Sequence, residues 1–599
     1  MNTSTNRAAA VVRRVCSQHP CSQQLLPSLA APGTRAAQAI GRAGLLAVLL
    51  AASPATAQPV QVRPIVRVED PIPGRPGEVF RAVNLQTPYT VNGQGDVVFT
   101  GARSVGGAIL SVADRSGLRV IAFDGPGTTI SYGSFLPTLG DSTFPFNAPI
   151  VARVASTSTL NTEGEDGFLA LNAVGTAVPG LEGWTYASSA SPVTAPTLGP
   201  GGHLAFLNNV STPGETARAL IAGRFTSNEL RAIARTVRQP AVGFADFGAP
   251  VVNASGVVAC YARFLDEDGV LRLGLARWQP GQPQLEVVVR SGSQAPGQPQ
   301  GITFSAIGAF FASNGNPYLG INSSGAIAFG ARLAGPGIDF NNDGCIWIYQ
   351  PGAEPVLLFR EGEPVPGDPT AIVSTLFDGD TPTFPLISDS GHVLANARVR
   401  VPPSTTTFQS LILFSPDASV REVARTGRRL PGPPQSPVNY QTFFSWALSR
   451  EGRVMILTTG ALVASDDLGR MRLLAAAQSP VRLPSGDLAD VSQVTLGSNA
   501  AITGGSDGRG GYFTPDSEVV AVATLRRAGN VNESGKYAFR IPQGCTGADF
   551  DANGQTDFFD YLGFVEAFGA GNLAADFDQN GRVDFFDYLD FSSVFAEAC

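Results

Sequence analysis

"INSSGAIAFGARL", residues 321–333, opens with an apolar residue and Asn322, crosses two serines to Gly325, and then alternates bulky with small residues. The same pattern stands in VNASGVVACYARF (252–264), ISDSGHVLANARV (387–399) and LSREGRVMILTTG (448–460). VNGQGDVVFTGAR (91–103), LGPGGHLAFLNNV (198–210) and VNESGKYAFRI (531–541) fit it as well. Asn-x-x-Gly before an alternating run is a turn feeding a strand, because Gly and Asn tolerate a positive φ. Period-two alternation then marks a half-buried strand. Gly202, Gly256, Gly325, Gly391 and Gly452 stand 54 to 69 residues apart. The wider gap from Gly95 to Gly202 leaves room for a worn copy at Phe146–Val154 (FNAPIVARV).

A second motif runs between the copies. RSGSQAPG (290–297), REGEPVPG (360–367) and RTGRRLPG (425–432) share Arg-x-Gly-x-x-x-Pro-Gly, and RVEDPIPG (67–74) keeps the two ends. Pro-Gly breaks the chain again, so each unit holds about four short strands with no helical period between them. A four-stranded unit cannot bury both faces alone, whereas repeated units packed around an axis can. Residues 58–541 are therefore expected to form an all-β β-propeller of seven or eight blades. The alternative is two smaller β domains divided near the worn copy. The last copy, at 531–541, is expected to close the ring against the first blade.

Residues 1–57 read as a secretory signal peptide. Arg7, Arg13, Arg14, Arg35 and Arg42 stand without an acid, Ala43–Ala52 is an apolar run too short for a bilayer, and Ala55-Thr56-Ala57 is a small-x-small cleavage site. The residues around Arg13-Arg14 fit a twin-arginine signal poorly. No later stretch is apolar for about 18 residues. The expected mature chain begins at Gln58 and is secreted, extracellular or cell-surface associated, with no transmembrane segment.

The chain carries −8 in total. The leader holds five arginines and no acid, which leaves −13 for the rest, and residues 545–599 account for −10 of that with eleven acids against Arg582. The acidity is thus local to the tail. No basic stripe marks a nucleic-acid partner, and Lys536 is the single lysine beside 40 arginines.

The tail is a duplication. DFDANGQTDFFDYLGFVEAF begins at Asp549 and DFDQNGRVDFFDYLDFSSVF at Asp576. In an EF-hand-type loop, oxygen ligands stand at positions 1, 3, 5, 9 and 12, a carbonyl serves at 7, and glycine makes the turn at 6. Asp549, Asp551, Asn553, Gly554, Gln555, Asp557 and Asp560 fill these slots in the first repeat. Asp576, Asp578, Asn580, Gly581, Arg582, Asp584 and Asp587 fill them in the second, where Arg582 serves through its carbonyl. Two Ca2+ sites are expected. Each loop leads into an amphipathic run with no convincing helix before it, and position 12 is Asp rather than Glu.

Loop–helix units duplicated 27 residues apart with Asp at position 12 resemble dockerin modules, over residues 545–599 only. The resemblance implies a small α-helical, calcium-dependent docking domain with pseudo-twofold symmetry and a cohesin-like partner or another surface protein. Dockerins of the Cys-terminated kind imply a Cys545–Cys599 pair. Counted by residues alone, the four cysteines left after export (Cys260, Cys345, Cys545, Cys599) pair in three ways, with Cys260 placed in an apolar strand as a buried thiol. The positions that set partner choice in well-known dockerins, where one common variety has Ser-Thr, hold Phe558-Phe559 and Phe585-Phe586 here. An apolar partner groove and packing within the tail both remain open.

Candidate chemistry upstream is sparse. His203 and His392 both follow the repeat glycine and read as strand residues. GGSDG at Gly504–Gly508 matches a nucleophile motif without its strand-to-helix setting. Asp339, Asn341, Asp343 and Gly344 match half a calcium loop but lack acids at the later slots, so a turn is the simpler reading. Arg290, Arg360 and Arg425 recur once per unit, as scaffolding does. No catalytic residue is assigned. The preferred reading is a secreted, non-catalytic propeller for binding or display, with polysaccharide among its candidate ligands. The alternatives are a polysaccharide-degrading propeller enzyme (glycosidase or lyase) and a structural cell-envelope component.

Overall fold

The computed structural model describes residues 59–599 except 84–88, 92–94, 115–116, 124–137, 140–149, 152–160, 163–167, 170–176, 188–196, 200–202, 225–228, 239–240, 309–318, 379–380, 383–384, 429, 431–438, 468, 497–502, 505–510, 543–547, 549, 551–555, 557, 578–581 and 597–599. The leader thus lies outside the described residues. No helix among those described is long and apolar enough to cross a membrane.

The alternating runs form antiparallel sheets in chain order. In blade 4, Val258–Leu265, Leu271–Trp278 and Glu286–Arg290 pair in sequence, and a broken first strand, Gly243–Phe247 with Val251–Val252, pairs with the second. The same plan builds blade 1 (80–123), blade 3 (185–235), blade 5 (303–360), blade 6 (364–425) and blade 7 (443–476). A three-stranded sheet over 138–169 is blade 2, and it contains the worn copy through Ile150–Val151. The innermost strand of each blade lies beside that of the next. Val91 of blade 1 bridges Gly511 of the last blade and closes the circle. The fold is an all-β propeller, with eight blade sheets among the described residues, followed by two short helices.

Blade 8 joins the chain ends. Leu488–Thr495, Glu518–Arg527 and Val531–Arg540 supply three strands, Val60–Arg67 adds a fourth, antiparallel with Val62 opposite Phe539, and the short Pro480–Arg482 pairs with both Val60-Gln61 and Leu488–Thr495, so this sheet closes on itself. The VNESGKYAF segment therefore closes the ring, though not as a turn copy. Gly535 lies inside a ten-residue strand, where an added Cβ would collide with the Val66 carbonyl. The turn copy of this blade is Thr514–Glu518: the Thr514 N–H donates to the Glu518 carbonyl, and Ser517 takes the glycine's place at φ 57°.

The repeat motif has two tasks. Gly256, Gly325, Gly391 and Gly452 adopt φ of 78°, 82°, 89° and 95°, as a turn glycine must. Meanwhile the Asn253 Oδ1 accepts the N–H of Ser255 and Val257, at 3.0 and 2.9 Å, and its Nδ2 donates to the Asn322 carbonyl of blade 5 at 2.9 Å. Asn322 repeats this, holding Ser324 and Ala326 and donating to the Ser388 carbonyl of blade 6 at 3.2 Å. One carboxamide thus satisfies its own turn and binds the next blade. Asn322→Ala leaves these groups unsatisfied in a buried site and is expected to cost about 1–3 kcal/mol. Calorimetry checks this, and an unchanged melting temperature would remove the turn ladder from the account of ring stability.

The second motif makes the crossover between blades. The N–H groups of Gly292 and Gly362 donate to the Phe304 and Val373 carbonyls on the following blade's first strand, at 2.7 and 2.9 Å, and that of Gly427 donates to the Tyr440 carbonyl just before that strand at 2.7 Å. Glu69 and Gln478 occupy the same place without glycine, at φ 72° and 67°, each with its N–H bonded at 2.7 Å.

Candidate functional site: the duplicated C-terminal module

The two tail repeats place helices at Phe558–Gly569 (α1) and Phe585–Ala596 (α2). Each begins beside a carboxylate, which suits the positive end of a helix. Asp584 caps α2, its Oδ1 accepting the Phe586 N–H at 2.9 Å. Asp560 and Asp587, at position 12 of the repeats, lie in the first helical turns and are wholly buried. The Asp587 oxygens accept the N–H of Phe577 at 2.5 Å and of Asp584 at 2.7 Å, which folds the second loop back onto its helix. Asp576 and Arg582 are also described. Asp549, Asp551, Asn553, Gln555 and Asp557 of the first loop, and Asp578 and Asn580 of the second, lie outside the described residues, as do Cys545 and Cys599.

The core of the module repeats itself across the two halves. Phe564 of α1 stacks on Phe591 of α2 with ring centroids 3.9 Å apart and planes at 0°. Phe550 meets Phe564 edge-on at 5.6 Å, and Phe577 meets Phe591 edge-on at 5.4 Å. Tyr561 reaches Phe595 at 5.6 Å, and its counterpart Tyr588 reaches Phe568 at 5.8 Å. The Tyr561 and Tyr588 hydroxyls meet at 3.1 Å. Every contact maps onto its partner by a step of 27 residues, so the halves are related by a local pseudo-twofold.

The residues before position 12 point outward. Phe558, Phe559, Phe585 and Phe586 are 57 to 66% exposed, and Leu562 and Leu589 continue the two patches. Of the two roles left open by the sequence, packing within the tail is partial: Phe585 stacks on Tyr588 at 6.2 Å, yet all four phenylalanines keep more than half of their surface exposed. The module rests on the propeller through Arg470 of blade 7, whose guanidinium lies over the Phe577 ring at 4.6 Å. Nothing in the sequence signalled that contact, because no motif surrounds Arg470.

The upstream candidates serve the scaffold. His203 contacts the Ala254 carbonyl of blade 4 at 3.1 Å, and a Cβ on Gly256 would stand 2.5 Å from its ring. His392 fills the same place against Gly452, and burial with the nearby Arg421 charge lowers its pKa. Arg425 pairs with Glu422 at 2.7 Å and Asp368 at 2.9 Å, Arg360 donates to the Asn342 carbonyl at 2.6 Å, and Arg290 is exposed. Asp339 accepts the Asn341 N–H, and Asp343 pairs with Arg332, so this half-loop is a closed turn. Glu361 binds the N–H of Gly344 and of Leu376 in blade 6; burial pushes its carboxyl up. Cys260 and Cys345 are both buried free thiols, and burial raises the pKa of each. Ser506 of the Gly504–Gly508 motif lies outside the described residues.

No curated protein matches this chain. Among solved structures, the chain is similar to an oligogalacturonate lyase in complex with manganese, at 9% identity and a TM-score of 0.33, over 81% of this chain and 98% of that one. It is also similar to the polysaccharide lyase Uly1, at 10% identity and TM-score 0.29 over 81% and 99% of the two chains. A third likeness is to the GH93 alpha-L-arabinofuranosidase of Fusarium graminearum with arabinobiose, at 9% identity and TM-score 0.20 over 80% and 97%. At these scores the likenesses carry no argument about activity. A sequence-family model matches residues 136–468, from blade 2 into blade 7 and more than half of the chain. The tail and the strands that close the ring fall outside the match, and the chain belongs to that family, described as a family of unknown function (DUF7453).

Proposed function

We propose that this protein is a secreted, non-catalytic binding or display propeller, held on a cell surface or extracellular assembly by a calcium-dependent, dockerin-like tail. The observation that carries this reading is the pair of exposed phenylalanine patches, set at symmetry-related positions beside the buried Asp560 and Asp587. Exposed aromatic pairs of this kind favour a partner with an apolar groove. The donor set fits calcium, since the loops offer hard carboxylate and carbonyl oxygens. Asp560 and Asp587, wholly buried carboxylates at the twelfth position of each repeat, supply the helix-borne oxygen of each set. Asp549, Asp551, Asn553, Gln555, Asp557 and Asp560 would hold one ion, and Asp576, Asp578, Asn580, Arg582 through its carbonyl, Asp584 and Asp587 the other.

The buried acids of the propeller favour the non-catalytic reading. Asp266 is held by Arg272, Asp466 by Arg472, Glu361 by backbone N–H groups and Glu422 by Arg425.

The test is co-sedimentation of residues 58–599 with the source organism's cell envelope. Retention is expected in calcium and loss in chelator, with the Phe558, Phe559, Phe585 and Phe586→Ser variant not retained. Equal retention in chelator would overturn the docking reading. The same preparation, incubated with a polysaccharide panel, is expected to release no reducing ends or unsaturated uronates. Product release would replace the binding reading with the glycosidase or lyase one.

A further inference from the structure

The two halves of the tail share an aromatic core and differ in what their helices show at the surface. On α1, Phe558, Leu562 and Val565 fall on one helix face, at steps of four and three residues, and are 63, 42 and 38% exposed. Phe559 widens this stripe. Glu566, exposed and four residues after Leu562, ends it. On α2 the stripe is shorter. Phe585, Phe586 and Leu589 repeat its start, but Ser592 stands at the place of Val565.

The second half also borders the propeller. α2 carries Asp590, exposed and four residues after Phe586, on the same helix face. Its counterpart in α1 is Gly563, where an added Cβ would stand 3.1 Å from the Phe550 ring, so the first helix keeps that place bare. Asp590 acts on the charge of Arg470 in blade 7, and the Arg470 guanidinium lies over the Phe577 ring of the same half at 4.6 Å. Arg470 is well fixed, because Asp466 accepts its N–H at 2.9 Å in the turn between the third and fourth strands of blade 7. The propeller thus holds the second half by a guanidinium over a ring and beside an acid.

From this asymmetry we propose that docking is polarised: α1, rather than α2, seats in the partner, and the partner is a protein whose apolar groove ends in an arginine or lysine. The longer stripe supplies the apolar contact, and exposed aromatic anchors of this kind fill grooves. The basic end follows from charge. Glu566 closes the stripe, and residues 545–575 hold no arginine or lysine that could satisfy it from within the first half. The module as a whole carries −10, which disfavours a second tail or an anionic bilayer as the occupant and favours a positive rim. On α2 the acid beside the patch already answers to Arg470 of the propeller. This inference rests on the docking reading above.

The test is the envelope co-sedimentation in calcium, run on residues 58–599 with matched variants of exposed residues. Phe558→Ser with Leu562→Ser is expected to lower retention about tenfold or more, and Phe585→Ser with Leu589→Ser less than about twofold. Glu566→Lys should weaken retention, more at low salt than at high salt. Adding Arg470→Gln to the Phe558 and Leu562 variant releases the second half and should restore part of the retention. Equal losses from the two paired variants, or no loss with Glu566→Lys, would overturn the proposal while wild-type retention in calcium left the docking reading standing. Full retention on a protease-treated envelope would replace the protein groove with a lipid or polymer surface. Dimerisation of the wild type without envelope, lost in the Phe558 and Leu562 variant, would make a second copy the occupant. A wild type that is not retained at all would sink both readings.

Discussion

Asp560→Ala combined with Asp587→Ala is expected to abolish calcium-dependent ordering of residues 545–599. In wild-type residues 58–599, calcium should protect the tail from proteolysis and raise the helical circular dichroism signal, and chelator should reverse both. The double variant should look the same in calcium and in chelator. The physical reason is that position 12 is the candidate ligand slot that falls on the helix, so a metal held there would couple binding to helix order. Asp587 also accepts the N–H of Phe577 and Asp584, so its loss unties the second loop even before metal is considered. Asp560→Asn with Asp587→Asn keeps an acceptor oxygen at each place and removes the charge. It is expected to weaken calcium at least about 100-fold, because a hard cation selects carboxylate over carboxamide. If the asparagine pair still orders with calcium at wild-type concentrations, the two aspartates are not ligands.

Lys536→Met is expected to stabilise the propeller and to flatten its pH dependence. Lys536 is wholly buried at the seam between blades 8 and 1. Its Nζ donates to the Val83 carbonyl at 2.9 Å and lies 5.3 and 5.7 Å from the Tyr89 and Phe99 ring centroids. Tyr512 edges Tyr89, and burial raises the pKa of both tyrosines, so neither offers a negative charge to the amine. Burial lowers the Lys536 amine from its ordinary 10.5 to about 7. Between those values only the unfolded chain holds the extra proton, so stability rises with pH from about 7 to about 10.5. Below about 7 the folded chain must hold a buried ammonium, eased by the two rings and the carbonyl. The methionine variant should therefore gain about 2–4 kcal/mol near pH 7. The gain should shrink toward pH 10. Scanning calorimetry between pH 6 and 10 measures both curves, and parallel curves would show that Lys536 does not titrate in this range.

Much of this fold was legible in the sequence because its signals are local. A turn glycine and a period-two run announce a strand wherever they occur, and their recurrence announced a ring of like units. Of the worn copy at 146–154, the described residues Ile150–Val151 form a strand of blade 2. The same locality explains the error at Gly535, where a glycine needed for close approach of Val60–Arg67 looked like a turn glycine. It explains the missed copies at Ser517 and Gln478 too, since the surrounding turn holds a positive φ that their residue types do not advertise. In the tail, the candidate ligand slots stand at fixed spacing within a dozen residues, so the calcium expectation follows from residue type and spacing alone.

The sequence by itself therefore determined the strand-and-turn units, the duplicated acidic loops and the spacing that suits them to calcium. Only the tertiary structure decided what lies between distant residues. It set the Asn253–Asn322–Ser388 ladder across blades, the joining of Val60–Arg67 to Val531–Arg540, and the burial of the single lysine. It also turned Phe558, Phe559, Phe585 and Phe586 outward and laid Arg470 over Phe577. Each of these depends on packing between segments tens to hundreds of residues apart, and neither composition nor spacing along a chain encodes which faces will meet.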